Sequence, residues 1–287
     1  HLAVAFDLKE PTFRHKMYAD YKGTRKPMPE ELREQVPLMK EVLAAMGVPI
    51  LTMAGYEADD ILGTIAKRCQ AEGEEVSVVS GDRDLLQLSD THIKIRIPKT
   101  SRGTTEIHDY YPEDVKREYQ VTPTEFIDVK ALMGDTSDNI PGVPSIGEKT
   151  ATNLIVAYGS IENAYAHLDE VKPPRAKKAL EEHYDLAVMS KELAEICITC
   201  PIPFEYEEAK LENLYTPEAY QYMKRLEFKS ILARFDVQDM GGNSVEEHFW
   251  SVEDLSGAEQ IFEKAKTAEQ VGCQLILSET GVAGLAI

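Results

Sequence analysis

The stretch GDTSDNIPGVPSIGEKTA, Gly134–Ala151, decides how this chain is read. It opens with two acidic residues, Asp135 and Asp138, and closes in the first turn of a new apolar-striped helix, Glu148–Tyr158. Another helical stripe, Pro123–Met133, leads into it, so it joins helix to helix rather than strand to helix. Gly142 and Gly147 permit close backbone approach, and the helix starting near Gly147 offers N–H groups without intrahelical partners. With Lys149 and Thr150 in that first turn, the pattern predicts a helix-hairpin-helix that holds a DNA phosphate backbone without reading bases. Two other readings fail on spacing. Gly142–Thr150 approaches a Walker A loop, but Glu148 separates Gly147 from Lys149 and no strand precedes it. Asp135–Asn139 lacks the glycine and the twelfth-position Glu of a calcium loop.

Upstream of the hairpin, strand and helix patterns alternate. Leu2–Phe6 is a short apolar run delivering Asp7 at its end. Glu30–Met46 carries a helical stripe stopped by Gly47, Pro49–Met53 reads as a strand, Glu57–Glu72 as an amphipathic helix and Glu75–Ser80 as a strand, and Ile93, Ile95 and Ile97 alternate as in another. Such alternation predicts a parallel α/β sheet over 1–110. Thr12–Pro29, basic and aromatic without an apolar period, reads as a surface segment. From 111 to 237 the pattern is all helical, including Ile161–Leu168, Arg175–Leu193 and Pro217–Phe235. A glycine-rich linker is expected at 238–247. The remaining residues, 248–287, read as the truncated opening of a second α/β domain, too short to enclose a core. The abrupt start inside a strand suggests that residues preceding His1 are missing.

Composition sets further bounds. In 287 residues, 43% hydrophobic content is enough to fill cores. No window suits a membrane span or signal peptide, and four scattered cysteines fit a reducing, cytoplasmic location; a monomer associated with the nucleoid is the accompanying expectation. Cys197 and Cys200 form one CxxC without a second pair, which reads as two small buried residues rather than zinc ligands. The net charge of −19 opposes general electrostatic attraction to nucleic acid, so the acid must be partly concentrated at a metal site and the base grouped where a backbone runs.

The carboxylates follow that requirement. Asp7, then Glu57, Asp59 and Asp60, then Asp82 and Asp84 each follow a predicted strand, and Asp135 and Asp138 follow a helix. Carboxyl ends of parallel strands gather at one rim, where α/β proteins place their sites. Two carboxylates about 4 Å apart repel by roughly 4 kcal/mol at an effective dielectric near 20, so such a cluster calls for cations. All-oxygen donors select hard ions, Mg²⁺ or Mn²⁺, and a pair of them can activate water against a phosphodiester. Helix capping is the competing explanation for Glu57, Asp59 and Asp84.

Five motifs in order, FDxxxPTFRH (Phe6–His15), YKGTR (Tyr21–Arg25), GYEADD (Gly55–Asp60), SGDRDLLQL (Ser80–Leu88) and LMGDTSDNIPGVPSIGEKTA (Leu132–Ala151), resemble the 5′-nuclease domain of bacterial family A DNA polymerases, related to flap endonucleases. The resemblance spans Leu2–Val237. It implies a PIN-like nuclease sheet followed by a helix-hairpin-helix subdomain, and 5′ to 3′ exonuclease and flap endonuclease action on flap, nicked or branched duplex DNA in replication and repair. A polymerase domain would lie in the same full-length chain. By position, it assigns Asp7, Glu57, Asp59 and Asp60 to a first metal and Asp82, Asp84, Asp135 and Asp138 to a second. Lys22 matches the arch lysine, with Arg14 and Arg25 beside it to contact the scissile phosphate. Tyr21 would stack on a base or pack beneath the arch. Gly142, Gly147, Lys149 and Thr150 match the duplex-holding hairpin, where relatives also hold K⁺. Two departures stand out. The family's opening strand with its Asp-Gly ligand has no counterpart before Asp7, and Leu277-Ser278-Glu279 stands where proofreading 3′-exonuclease domains carry Asp-x-Glu. Rival readings are a DNA-binding fragment without turnover and a ribonuclease on a similar sheet.

Overall fold

The β-branched runs form strands as their pattern requires. In the computed structural model, which describes residues 1–101, 103–235, 252, 254–267, 271–278 and 281–286, β1 (Val4–Ala5) pairs in parallel with β2 (Ile50–Leu51). β3 (Val76–Val79) pairs in parallel with β4 (Ile93–Ser101), from Val76 opposite Ile93 to Val79 opposite Arg96. β4 then folds back antiparallel on β5 (Thr104–Tyr110). β5 escapes sequence patterning because Thr104–Asp109 carries one apolar side chain, Ile107, and the strand forms by pairing along β4. The expected single parallel layer is therefore in two pieces among the described residues, β1–β2 and β3–β4–β5. α3 (Ala58–Ala71) packs against both β1 and β3. Its Leu62, Ile65, Ala66 and Cys69 line a cleft of about 400 Å³, together with Leu2–Ala5 and Val76–Val79.

The helices follow their stripes closely. α1 (Phe13–Met17) and α2 (Glu30–Ala45) precede α3, and α4 (Pro112–Tyr119), α5 (Pro123–Met133), α6 (Glu148–Tyr158) and α7 (Ile161–Ala166) follow the sheet. α5 starts at a reciprocal cap. Thr122 Oγ1 accepts from the Glu125 N–H (3.3 Å), the Glu125 carboxylate accepts from the Thr122 N–H (2.7 Å), and Pro123 stands first in the helix. The span expected as one helix, Arg175–Leu193, is two, α8 (Pro174–Glu182) and α9 (Tyr184–Ala194), broken at His183. Each half has its own neighbour: α9 packs along α5, and α8 packs against the turn Leu168–Glu170. Pro217–Phe235 likewise splits into α10 (Pro217–Arg225) and α11 (Lys229–Leu232), with Glu227 at φ +57° between them.

α5 is the centre of the core. Phe126, Ile127, Val129, Ala131 and Leu132 are buried, against α6, α9 and the 3-10 turn Arg83–Leu88, whose Leu85 and Leu86 are fully buried. This packing brings Asp84, in the turn, beside the end of α5, just before Asp135. The connection after α5 is tightly closed. Asp135 and Ile140 form an antiparallel bridge, and Gly134 and Gly142 pack so closely, at φ +74° and +62°, that a Cβ on Gly142 would lie 2.4 Å from the Gly134 nitrogen.

Thr12–Pro29 is not the purely surface segment that its composition suggests: Thr12, Arg14 and Tyr21 are buried. Burial of the guanidinium is possible because every donor direction it turns inward meets an acceptor, as described below.

The chain divides into two compact units, His1–Arg225 and Leu226–Ile287. In the second, α12 (Leu255–Ala265) begins at Asp254, whose carboxylate accepts from the Gly257 N–H, and β6 (Gln274–Ser278) pairs antiparallel with β7 (Gly281–Ala286). α12 buries none of its residues, and Leu255 and Phe262 are exposed. The expected linker, 238–247, and Glu279 lie outside the described residues. No helix among the described residues is long and apolar enough to cross a membrane.

Candidate metal centre

Asp7, two residues beyond β1, accepts a hydrogen bond from the Ala58 N–H at the start of α3 (2.7 Å). Glu57, the N-cap of α3, takes the Lys22 ammonium on Oε1 (2.7 Å) and the Tyr21 hydroxyl on Oε2 (3.0 Å). The same two groups reach Asp138, Tyr21 at 3.3 Å and Lys22 at 3.7 Å, and Arg25 adds a salt bridge to its other oxygen. Asp59 shows how much negative charge gathers here. Burial, with Asp82, Asp7 and Glu57 nearby, pushes its carboxyl up to about 7. On the other side, Lys130 bridges Asp84 (2.8 Å) and Asp135 (2.5 Å). Asp82 Oδ1 accepts from the Asp84 N–H (2.9 Å), and Asp135 Oδ1 accepts from the N–H groups of Ser137 and Asp138 (2.7 and 3.2 Å). Burial raises the Asp135 carboxyl, but the hydrogen bond and charge of Lys130 and the hydrogen bonds from Ser137 together outweigh it and leave it at about 2. Asp84 stays raised, since burial there outweighs Lys130.

Four chain segments thus meet on one face, as the rim argument requires, but as pairs clasped by ammonium and guanidinium groups. Among the described residues no three His, Cys, Asp or Glu side chains stand as a ready metal-holding group. The donors still suit a hard divalent cation: all are carboxylate oxygens, and Asp59 shows that the resident bases leave part of the charge unrelieved.

Three expected roles do not fit. Asp60 is fully buried, and its oxygens are taken by Arg14 (two contacts of 2.8 Å), the Glu57 N–H (2.9 Å) and the Cys197 N–H (2.8 Å), which leaves nothing for a metal. Arg14, 3% exposed, spends its remaining donors on the Leu193 and Glu195 carbonyls and cannot reach a phosphate. Tyr21 is buried with its hydroxyl between Glu57 and Asp138, so of its two readings the packing one fits. The sequence signal was misleading because a buried Arg–Asp pair and an exposed catalytic one use the same residue types.

Residues 1–120 match the family model described as 5′-3′ exonuclease, N-terminal resolvase-like domain, and residues 121–216 match 5′-3′ exonuclease, C-terminal SAM fold. The chain belongs to the 5′-3′ exonuclease family. DNA polymerase I of Bacillus caldotenax is 44% identical over 236 residues, 82% of this chain and 27% of that protein, and DNA polymerase I of Bacillus subtilis is 42% identical over 257 residues, 89% and 28%. The chain thus spans under a third of the length of these relatives. In fold it is similar to bacteriophage T5 5′-exonuclease, solved with divalent metal ions (zinc) bound, at TM-score 0.57 and 23% identity over 79% of this chain and 83% of that one.

Within this exonuclease fold, the basic segment is docked on the Asp135–Ile140 loop. The Lys22 N–H donates to the Asp138 carbonyl (2.8 Å), Asn139 Nδ2 to the Asp20 carbonyl (2.7 Å) and Arg25 Nε to the Ser137 carbonyl (3.2 Å). Lys22 adopts φ +56°, unusual for a side-chain-bearing residue. At the hairpin, Gly142 is buried and its N–H donates to Ser190 Oγ (3.1 Å), so its smallness serves the loop itself rather than a ligand. Gly147 and Lys149 are exposed, Thr150 is half-buried, and a Cβ on Gly147 would meet open space. Sequence reasoning missed Arg175, which donates to Ser145 Oγ (3.0 Å) beside the hairpin, and Lys130. Arg175 offers no local signal. Lys130 does: it is a base set between the apolar Val129 and Ala131, just ahead of Asp135. Cys200 is buried and Cys197 partly so, and both are free thiols.

Proposed function

We propose that this chain is a 5′ to 3′ exonuclease and flap endonuclease that hydrolyses DNA phosphodiesters with two divalent ions, Mg²⁺ or Mn²⁺. The observation that carries the reading is the convergence of Asp7, Glu57, Asp59, Asp82, Asp84, Asp135 and Asp138 from four stretches of chain, where burial first and the neighbouring carboxylates second push Asp59 up to about 7. Asp7, Glu57 and Asp59 would hold one ion and Asp82, Asp84, Asp135 and Asp138 the other. Bound there, the ions supply an activated water and stabilise the leaving oxygen. The chain's own residues set the rest. Lys22 and Arg25, which now lie on Glu57 and Asp138, would be free to meet the non-bridging phosphate oxygens once those carboxylates are otherwise engaged. The Arg14–Asp60 pair fixes the start of α3, and therefore Glu57 and Asp59, against the segment after α9. The exposed N–H groups near Gly147, with Lys149 and Arg175, would hold the duplex phosphates, and carbonyls of that turn suit K⁺.

Flap, nicked or branched duplexes are the substrates, and a polymerase domain of the full-length protein works on the same DNA in replication and repair. Asp82→Ala or Asp135→Ala should abolish cleavage of a 5′-flap duplex in Mg²⁺ while binding remains measurable. Undiminished cleavage would refute the assignment. A second reading, a DNA-binding fragment without turnover, draws on the clasping of these carboxylates by Lys22, Arg25 and Lys130. It predicts flap binding through the hairpin with no product even in Mn²⁺.

A further inference from the structure

Lys130 is a largely buried base that the proposed chemistry leaves without a role. It projects from the most buried helix of the core, with Val129, Ala131 and Leu132 all buried around it. Its side chain is 13% exposed, and its ammonium stands between Asp84 Oδ1 at 2.8 Å and Asp135 Oδ2 at 2.5 Å. Among the described residues no other base pairs with either carboxylate. The two acids come from a 3-10 turn and from a loop after α5; packing of the turn on α5 brings the two elements together, and the ammonium of Lys130 joins their carboxylates. An ammonium has three donors and one positive charge, enough to bridge two carboxylates but not to neutralise both.

We propose that Lys130 is the resident counter-ion of this pair: it keeps Asp84 and Asp135 converged while no divalent cation is present, and it withdraws when one binds. The inference rests on the reading of these acids as metal ligands. A divalent cation would sit closer to the oxygens than an ammonium can and would carry the missing charge, so the two compete for one place. The lysine also has somewhere to go. It lines an open cleft of about 800 Å³ whose walls carry Glu118 and Glu148 beside Arg83 and Lys149, and that cleft is where a displaced ammonium would turn. Its role is positioning, since it acts on the acids and not on the substrate.

The test compares wild type, Lys130→Met and Lys130→Arg by calorimetric Mn²⁺ titration and by thermal melting in EDTA and in saturating Mn²⁺. In EDTA the Met variant should melt roughly 5 °C lower, because two half-buried carboxylates then face each other. In Mn²⁺ that deficit should close, and Mn²⁺ should bind the Met variant about tenfold more tightly, because no lysine has to be displaced. Arg, which keeps the charge and the bridge, should stay near wild type. Equal Mn²⁺ affinities in wild type and Lys130→Met, or a melting deficit that Mn²⁺ leaves unchanged, overturn the proposal and make Lys130 an ordinary structural ion pair. If wild type itself binds no Mn²⁺, the metal reading falls, and this proposal with it. Lys130→Gln, which keeps the stem and a donor, takes the place of the Met variant if that one does not fold.

Discussion

Replacing Asp59 with asparagine should make the metal-free protein more stable at pH 8 and leave it unchanged at pH 4. Burial first, and then the charges of Asp82, Asp7 and Glu57, raise the folded carboxyl from 3.8 to about 7. Between those values the folded state holds a proton that the unfolded state has released, so stability falls as pH rises through the window. At 1.36 kcal/mol per pH, the full climb corresponds to about 4 kcal/mol, and partial exposure and relaxation reduce the expected gain to about 1–3 kcal/mol. Asparagine keeps the shape and carries no charge, so the variant should show a flat profile where wild type declines. Urea unfolding in EDTA at pH 4, 6 and 8 measures this directly. Millimolar Mg²⁺ should restore wild type at pH 8 but help the variant less, since a ligand is gone. An Asp59→Asn protein no more stable than wild type at pH 8 in EDTA would show that the carboxylates at this rim do not repel one another, and the case for a metal centre would lose its main support.

Arg14→Met should cost about 3–5 kcal/mol in unfolding free energy, because Asp60 remains buried without its partner, and equilibrium denaturation reads this. Flap-DNA affinity should hold under conditions where the variant is folded. Gly142→Ala should destabilise by at least about 2 kcal/mol, since a Cβ 2.4 Å from the Gly134 nitrogen cannot be accommodated at φ +62° without moving the loop, and a melting curve reads this. Lys149→Ala should weaken duplex binding and reduce the slope of log affinity against log salt by about one, measured by fluorescence anisotropy across a salt series.

Much of this fold is legible in the amino-acid sequence. Strand-end carboxylates, the helix stripe of Pro123–Met133 and the stop at Gly47 are local chemistry, and local chemistry is written in short windows. What stayed hidden depends on partners far away in sequence. Asp60 looks like its neighbour Asp59, but one faces Arg14 and backbone N–H groups and the other faces acids. Tyr21 and Arg14 sit in a segment that reads as surface, and their burial depends on Glu57, Asp60, Asp138 and two carbonyls at the end of the ninth helix, those of Leu193 and Glu195. The break at His183 was unreadable because both flanking stripes are good helices, and only their different packing neighbours part them. β5 pairs through its backbone and gives no apolar alternation.

The slot between β1 and β3 has a consequence for handling the protein. Strand alternation turns the amides of Ala3 and Ala5 away from β2, and those of Ser77 and Val79 away from β4, so both edges present unspent donors and acceptors over a greasy bed. Val79 is 60% exposed there. A receptacle of that kind invites any extended, oily peptide, including a stretch from a neighbouring molecule, so concentrated solutions should tend to self-associate through it. A single lysine in place of Val79 should keep them clear.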